Sequence, residues 1–284
     1  RQRQMCIRDS YRSARPQPRL GRPAAADGGR RSHLAAADGG DAVYHASQAG
    51  GDAAEHGGQY DHREVEIRNG RGRVFDLDHA GFMLIRHGSA VSDFHDDAAL
   101  AAIYEAEARD LITRMTGARR VVVFDHTRRA ASDGLRRAQT MREPSAVIHN
   151  DYTQWSAEKR LRDILPDEAD ELMMNRFAII NIWRSIAGTV ETSPLAFCDS
   201  TTLADGDLVE VTRQAQDRIG QIQMARFNPA HEWCYFPAME EGEAALIKTY
   251  DSATDGRTRF TIHTAFTDPT SPPGAAPRQS IETR

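Results

Sequence analysis

From residue 177 onward the chain is a succession of short apolar runs, each too brief to be a buried helix and each bounded by acidic, turn-rich residues. FAIINIWRSI (177–186), QMARF (223–227), WCYF (233–236), ALIKTY (245–250) and TRFTIHTA (258–265) are rich in β-branched and aromatic side chains. Runs of that length and composition read as strands. Earlier segments add to them. Glu64–Arg68 alternates with Val65 and Ile67 on one face, GFMLIR (81–86) and VVVFD (121–125) read as core strands, and Ala146–Asp151 follows Pro144 as another. Two stretches are helical. Over Asp96–Thr116, Leu100, Ile103, Leu111, Ile112 and Met115 form a stripe, Asp96 or Asp97 can cap the start, and Gly117 ends it. Ser156–Arg176 is the second, interrupted at Pro166. The expectation is a mostly β fold with flanking helices, its core a jelly roll (double-stranded β-helix, cupin-like).

The N-terminal sixty residues read differently. QMCIRDS (4–10) is the translation of CAG-ATG-TGT-ATA-AGA-GAC-AG(C/T), which resembles a transposon-end adapter used in sequencing libraries. Residues 1–10 are therefore read as an adapter artefact, the alternative being a genuine arginine-rich start. Residues 11–60 are Gly-, Ala-, Asp- and Arg-rich, with AAADGG at 24–29 and 35–40. They are expected to be largely disordered or mis-framed, with sparse packing near Val43 and Tyr44, because they hold too little apolar surface to offset the entropy of ordering. Residues 61–284 are expected to form one domain, with a further strand expected beyond Arg284.

Bulk properties remove some functions. The net charge is −5, which gives no electrostatic case for nucleic acid or an anionic membrane. No apolar run reaches the roughly 18 residues of a membrane span. Cys6, Cys198 and Cys234 are scattered, without a disulfide framework or a CxxC pair. The expected setting is cytoplasmic, with Cys198 and Cys234 packing as small hydrophobes.

The chemistry starts at HNDYT (149–153). On a strand His149 and Asp151 share a face, and an imidazole beside a carboxylate is two thirds of a facial triad for non-heme Fe(II). The pair alone is weak. A chain of 284 residues with 11 His and 41 acidic residues yields one or two H-x-[DE] pairs by chance. Three occur, but His95/Asp97 sits at a helix start where capping explains the aspartates, and His62/Glu64 lies at the edge of the ragged segment. His263, late in the chain, can supply the third ligand. Arg278 and Ser280 share a face further on and together suit the far carboxylate of a 2-oxo diacid. The competing reading is a buried His149 hydrogen-bonded by Asp151, with His263 a polar strand residue.

Nine blocks from VVVFDHT (121–127) through HNDYT, RLRDILPDEADEL, RFAIINIWRSI, SPLAFCDS, NPAHEWCYFPAME, ALIKTYDS and RFTIHTAFTDPTSPP to PRQSIETR (277–284) resemble, in order, the CmcJ/NvfI family of 2-oxoglutarate/Fe(II) oxygenase-like proteins. That family includes a component of cephalosporin 7α-methoxylation, a fungal endoperoxidase and gibberellin-type desaturases. The resemblance implies Fe(II) held by His149, Asp151 and His263, with 2-oxoglutarate and O2 as cosubstrates and Arg278 as the 2-oxoglutarate anchor. It implies hydroxylation, desaturation or related C–H oxidation of a small natural-product-like substrate, with a partner enzyme or a homodimer possible. Residues before about 60 match it poorly.

Other residues carry weaker expectations. Asn181 and Trp183 share a strand face, opposed by Arg184, and are candidates to line the pocket; a packed Trp is the competing reading. Tyr152 is either a site neighbour or a core tyrosine. Asp125-His126 suits a hydrogen-bonded structural role, with His126 a minor substrate candidate. Lys248 is expected on the surface of an edge strand, the alternative being a second carboxylate contact. Two other classes remain open: an accessory protein presenting substrate to a partner, and a jelly-roll hydrolase or isomerase using Zn or Mn without a cosubstrate. The Arg278/Ser280 pair argues against the latter, which has no use for a dicarboxylate clamp.

Overall fold

The computed structural model describes residues 4–11, 43–51, 54–56, 60–215 and 218–284. Its strands form two sheets. The larger runs, in spatial order, β1 (Gln4–Tyr11), β4 (Tyr60–Asn69), β12 (Trp233–Tyr235), β9 (Leu195–Cys198), β14 (His263–Ala265), β7 (His149–Asn150), β11 (Arg218–Ala225), β10 (Leu208–Ala215), β2 (Val43–His45) and β3 (Glu55–His56). The smaller runs β5 (Phe82–Arg86), β13 (Glu243–Asp251), β8 (Ala178–Ser185), β15 (Gln279–Thr283) and β6 (His126–Ala130). From β7 to β9, and again from β12 to β15, successive strands alternate between the sheets. That alternation is the double-stranded β-helix expected from the spacing of the apolar runs.

Period-2 patterning decides what lies between the sheets. On β13, Ala245 and Ile247 point inward and pack with Phe82, Trp183, Phe197 and Phe236. Their neighbours Ala244 and Leu246 point outward, onto Ala108 and Leu111 of helix α2 (Glu105–Thr116). Phe82 and Phe197 stack across the gap with ring centroids 5.0 Å apart. Each fully buried side chain of this size contributes on the order of 2 kcal/mol. Helix α2 is entered from α1 (Asp97–Ala99) through a π-helical turn. The Asp96 carboxylate caps α1 by accepting from the backbone of Ala98 and Ala99. Gly117 closes α2 in the left-handed region at φ 70°. Capping therefore accounts for Asp96, as the sequence suggested, while Asp97 opens the helix and pairs with Arg128.

The remaining helices are α3 (Asp133–Ala138), α4 (Gln154–Ile164) and α5 (Ala169–Met173), the last two divided at Pro166 as expected. Most of residues 11–42, expected to lack order, lie outside the described residues, whereas Tyr44 packs beside Val147, Val211 and Met224. Gln4–Tyr11 pairs antiparallel with Tyr60–Glu66.

Several elements depart from the expectation. VVVFD is not a ladder strand. It is extended and half-buried, and it meets the end of the chain through two backbone bonds, Phe124 N–H to Arg284 and Arg284 N–H to Asp125, each 2.9 Å. The ladder proper starts one residue later, at His126. Ala146–Asp151 shrinks to His149–Asn150, and Thr258–Ala265 to His263–Ala265. Before β14 the backbone turns to a loop, Thr258 N–H bonding Asp78, and only the Ile262 carbonyl still bonds a strand backbone, accepting from Cys198 of β9. Lys248 is neither on the surface nor on an edge. It is 1% exposed on β13, a strand with a neighbour on each side, and its Nζ lies 2.7 Å from Asp78 and 3.0 Å from Asp251. A lysine can be buried only with its charge paired, and a loop carboxylate 170 residues away supplies one of the partners.

Candidate metal centre

β7 and β14 are neighbours in the larger sheet, with His149 directly opposite His263. Residues paired this way project to one face, and His263 is also opposite Phe197, which points between the sheets. Both imidazoles therefore enter the interior, their ring centroids 4.7 Å apart. Asp151 follows directly after β7. One ligand atom from each of His149, Asp151 and His263 lies within 4.8 Å of the others. The three residues picked out in the sequence thus meet, over a separation of 112 positions between Asp151 and His263.

The ring nitrogens are sorted by their backbone contacts. His149 Nδ1 is 2.7 Å from the Val147 carbonyl, and His263 Nδ1 is 3.1 Å from the Thr261 carbonyl. A carbonyl only accepts, so each Nδ1 donates and each Nε2 presents its lone pair to the interior. Burial, followed by the neighbouring His149, pushes the His263 pKa down, which keeps the ring neutral as a ligand must be.

The carboxylate is sorted in the same way. Asp151 Oδ2 accepts from Asn181 Nδ2 at 2.7 Å and from Arg284 Nε and Nη2 at 3.1 and 3.0 Å. Oδ1 is left facing His149 Nε2 at 3.5 Å. Burial alone would push this carboxyl up, but Arg284 with His149 and His263 holds it well below the ordinary range. The guanidinium of Arg284 also donates to Asp125 Oδ2 at 2.6 Å and to Thr127 Oγ1 at 3.1 Å, and it pairs with Glu282. Two imidazoles and one ionised carboxylate with convergent atoms suit a first-row divalent metal, Fe(II) in particular.

The facing wall comes from the smaller sheet. Ile281 packs outward against Leu100 and Tyr104, so Arg278, Ser280, Glu282 and Arg284 share the inward face, as alternation predicted. Arg278 and Trp183 line the same cavity as His149 and His263, with the guanidinium 5.4 Å from the indole centre. Arg278 is 2% exposed; its Nη1 donates to the Ser193 carbonyl, while its Nε and Nη2, together with Ser280 Oγ, are buried without a hydrogen-bond partner. Burial, reinforced by Arg129, pushes the Arg278 pKa down to about 9. Such unmet donors are costly unless an acceptor arrives. A carboxylate of 2-oxoglutarate fits them.

The weaker candidates divide. Asn181 touches the ligand carboxylate rather than open pocket space. Tyr152 packs among Ala157, Ile179 and Tyr250, the core-tyrosine reading. His126 lies on the outer face of β6, its Nδ1 2.8 Å from Thr283 Oγ1 and its ring 6.0 Å from Tyr104. Arg184 is likewise outside, beside Phe94 and Tyr104. Cys198 and Cys234 are free and buried, and burial pushes the Cys198 thiol up to about 12. Sequence reading did not single out Asn181 and Arg284 as partners of Asp151, because nothing local ties residues 30 and 133 positions away to a carboxylate.

Comparison with known proteins agrees with this chemistry. A family profile described as an oxidoreductase/YMDC permease-like domain matches residues 33–284. No helix among the described residues is long and apolar enough to cross a membrane. A hydroxylase/desaturase of Cercospora beticola is 32% identical over 250 residues, covering 80% of this chain and 76% of the relative. An Fe(II)/2-oxoglutarate-dependent dioxygenase, NvfI, of Aspergillus novofumigatus is 30% identical over 220 residues, covering 74% and 77%. A solved structure of the iron and α-ketoglutarate-dependent endoperoxidase NvfI superposes with a TM-score of 0.74 at 25% identity, over 86% of this chain and 92% of that one. The chain belongs to this family of Fe(II)/2-oxoglutarate-dependent oxygenases, alongside the hydroxylase/desaturases and NvfI.

Proposed function

We propose that residues 61–284 form one catalytic domain that hydroxylates, desaturates or otherwise oxidises a C–H bond of a small natural-product-like molecule. His149, Asp151 and His263 are the Fe(II) ligands, and Arg278 with Ser280 holds the far carboxylate of 2-oxoglutarate. The observation that carries the reading is the pairing of a free His–Asp–His face with unmet Arg278 and Ser280 donors in the same interior. When bound, iron, 2-oxoglutarate and O2 supply the oxidising power, with decarboxylation of the cosubstrate coupled to oxidation of the substrate.

The chain's own residues do the rest. The Val147 and Thr261 carbonyls hold the imidazoles in the ligating tautomer. Arg284 and Asn181 aim Asp151 Oδ1 inward. Trp183 and Leu195 give the cavity apolar lining. The free, buried cysteines support a cytoplasmic setting.

Anaerobic addition of Fe(II) and then 2-oxoglutarate should give a weak visible charge-transfer band, lost in Asp151→Ala. Iron binding without a band would favour the accessory or hydrolase readings. Replacing Arg278 by Ala removes a charge-assisted contact and should raise the 2-oxoglutarate concentration needed for the band by roughly 10–100-fold, with iron retained. An unchanged requirement would move the clamp to another cation.

A further inference from the structure

Three guanidiniums gather at one edge between the sheets, and the metal centre does not use them. Arg129 lies on the inner face of β6 and lines the metal cavity. Arg142 is bridged directly to it, with backbone bonds from Ala130 N–H to Arg142 and from Arg142 N–H to Arg128 at 2.9 and 3.0 Å. Like charges placed opposite each other on adjacent strands repel.

The third comes from the other sheet. On β11 and β10 the register sets His149 opposite Met224, Ile222 opposite Val211, and Gly220 opposite Arg213. Arg213 therefore stands on the face that carries His149, four residues along, which is on the order of 13 Å. Gly220 offers no side chain across from it on β11, and Tyr44 of β2 stands opposite it on the other side.

None of the three has a carboxylate partner among the described residues. Arg129 gives one hydrogen bond, to the Glu143 carbonyl at 2.8 Å, and Arg142 and Arg213 have no side-chain hydrogen bond or ion pair there. The acids within reach are committed. Glu143 accepts from Ala54 N–H and Arg136, while Asp125 and Asp151 are held by Arg284. Burial and mutual repulsion push the pKa values of Arg142 and Arg213 down. A fold that leaves repelling cations half-buried beside its active site loses stability unless a ligand compensates.

We propose that the substrate is an organic anion whose carboxylate is held by Arg142 and Arg213, with Arg129 beside them, roughly 10 Å or more from the carbon that is oxidised. This rests on the oxygenase reading and adds the chemical class of its substrate. 2-Oxoglutarate is not the ligand meant, since Arg278 and Ser280 offer it donors that are deeper and unmet.

The test uses the full chain loaded with Mn(II), which is inert to the redox step, and saturating 2-oxoglutarate. It compares 2-naphthoate with the neutral 2-naphthamide by calorimetric titration. Naphthoate should bind roughly tenfold or more tightly, and added salt should shrink the margin. In Arg142→Gln/Arg213→Gln the margin should fall to within about threefold, and Arg142→Lys/Arg213→Lys should keep part of it. The Gln variant should melt no lower than the wild type, because a repulsion has been removed; a structural role for the arginines predicts the opposite. Equal binding of the two probes, no binding of either, a margin that survives the Gln variant, or a lowered melting temperature each overturns the proposal. Loading is read separately from the Fe(II)–2-oxoglutarate band, so a failed oxygenase reading shows in the band and a failed anion site only in the probe pair.

Discussion

His263→Ala should lose Fe(II) binding, and His149→Ala should do the same. Either change leaves two protein ligands where the arrangement offers three. Changing a residue that only orients a ligand costs 10–100-fold in metal affinity, so losing a ligand should cost more than about 100-fold. Metal content after desalting is the direct measurement, and thermal melting is the second. A metal that binds only the native state adds about 2.7 kcal/mol at a concentration 100 times its Kd, so the wild type should melt higher with added Mn(II) and neither variant should. Far-UV circular dichroism should stay the same, since the rings bond only to residues within four positions of themselves, Val147 and Ser145 for His149 and Thr261 for His263. A variant that keeps a full equivalent of iron would place the metal elsewhere.

How much of this could be read in the sequence depends on the distance over which each role is defined. The convergence of His149, Asp151 and His263 was legible because coordination restricts residue type, and because H-x-D on a strand puts both groups on one face. Arg278 and Ser280 were singled out by the same alternation, and both keep buried polar atoms without a partner. The cap at Asp96 and the break at Pro166 are local rules, and both hold. What was hidden depends on the packing of the two sheets. Lys248 reads as a surface residue until Asp78, 170 positions earlier, folds over it. Arg129 and Arg213 share an edge only because β6 and β10 end on the same side of the interior. β10 was missed, and β11 was read only from Gln223 onward, for a different reason. Val209 and Val211 alternate cleanly, but Glu210 between them and Thr212 and Arg213 after them give the segment the composition of a turn. VVVFD erred the other way: strong β propensity marks an extended segment, and a ladder also needs a partner alongside.

Arg284→Leu should damage both stability and metal binding. The substitution keeps much of the volume but leaves Asp151 and Glu282, with side chains 12% and 6% exposed, without the cation that faces them both. Breaking a buried pair by removing one partner costs about 3 kcal/mol or more. Iron affinity should fall by roughly 10–100-fold, because Oδ2 of Asp151 would keep only Asn181 and the carboxylate could turn. The pH dependence of the metal-free protein separates this from a simple packing loss. In the wild type the Asp151 carboxyl sits below its ordinary value of about 3.9, so its contribution is complete above that pH and fades as pH falls further. In the variant, burial acts without Arg284 and pushes the carboxyl up. A group whose folded pKa is raised loses stability as pH rises, so from pH 7 down to about pH 5 the variant should gain stability relative to the wild type, on top of the loss that the lowered His263 pKa imposes on both. Melting scans across that range decide it, and parallel curves would show that Arg284 is a packing residue. Arg284→Lys should recover part of the stability and less of the iron affinity, since one ammonium cannot span Asp151, Asp125 and Glu282 as the guanidinium does.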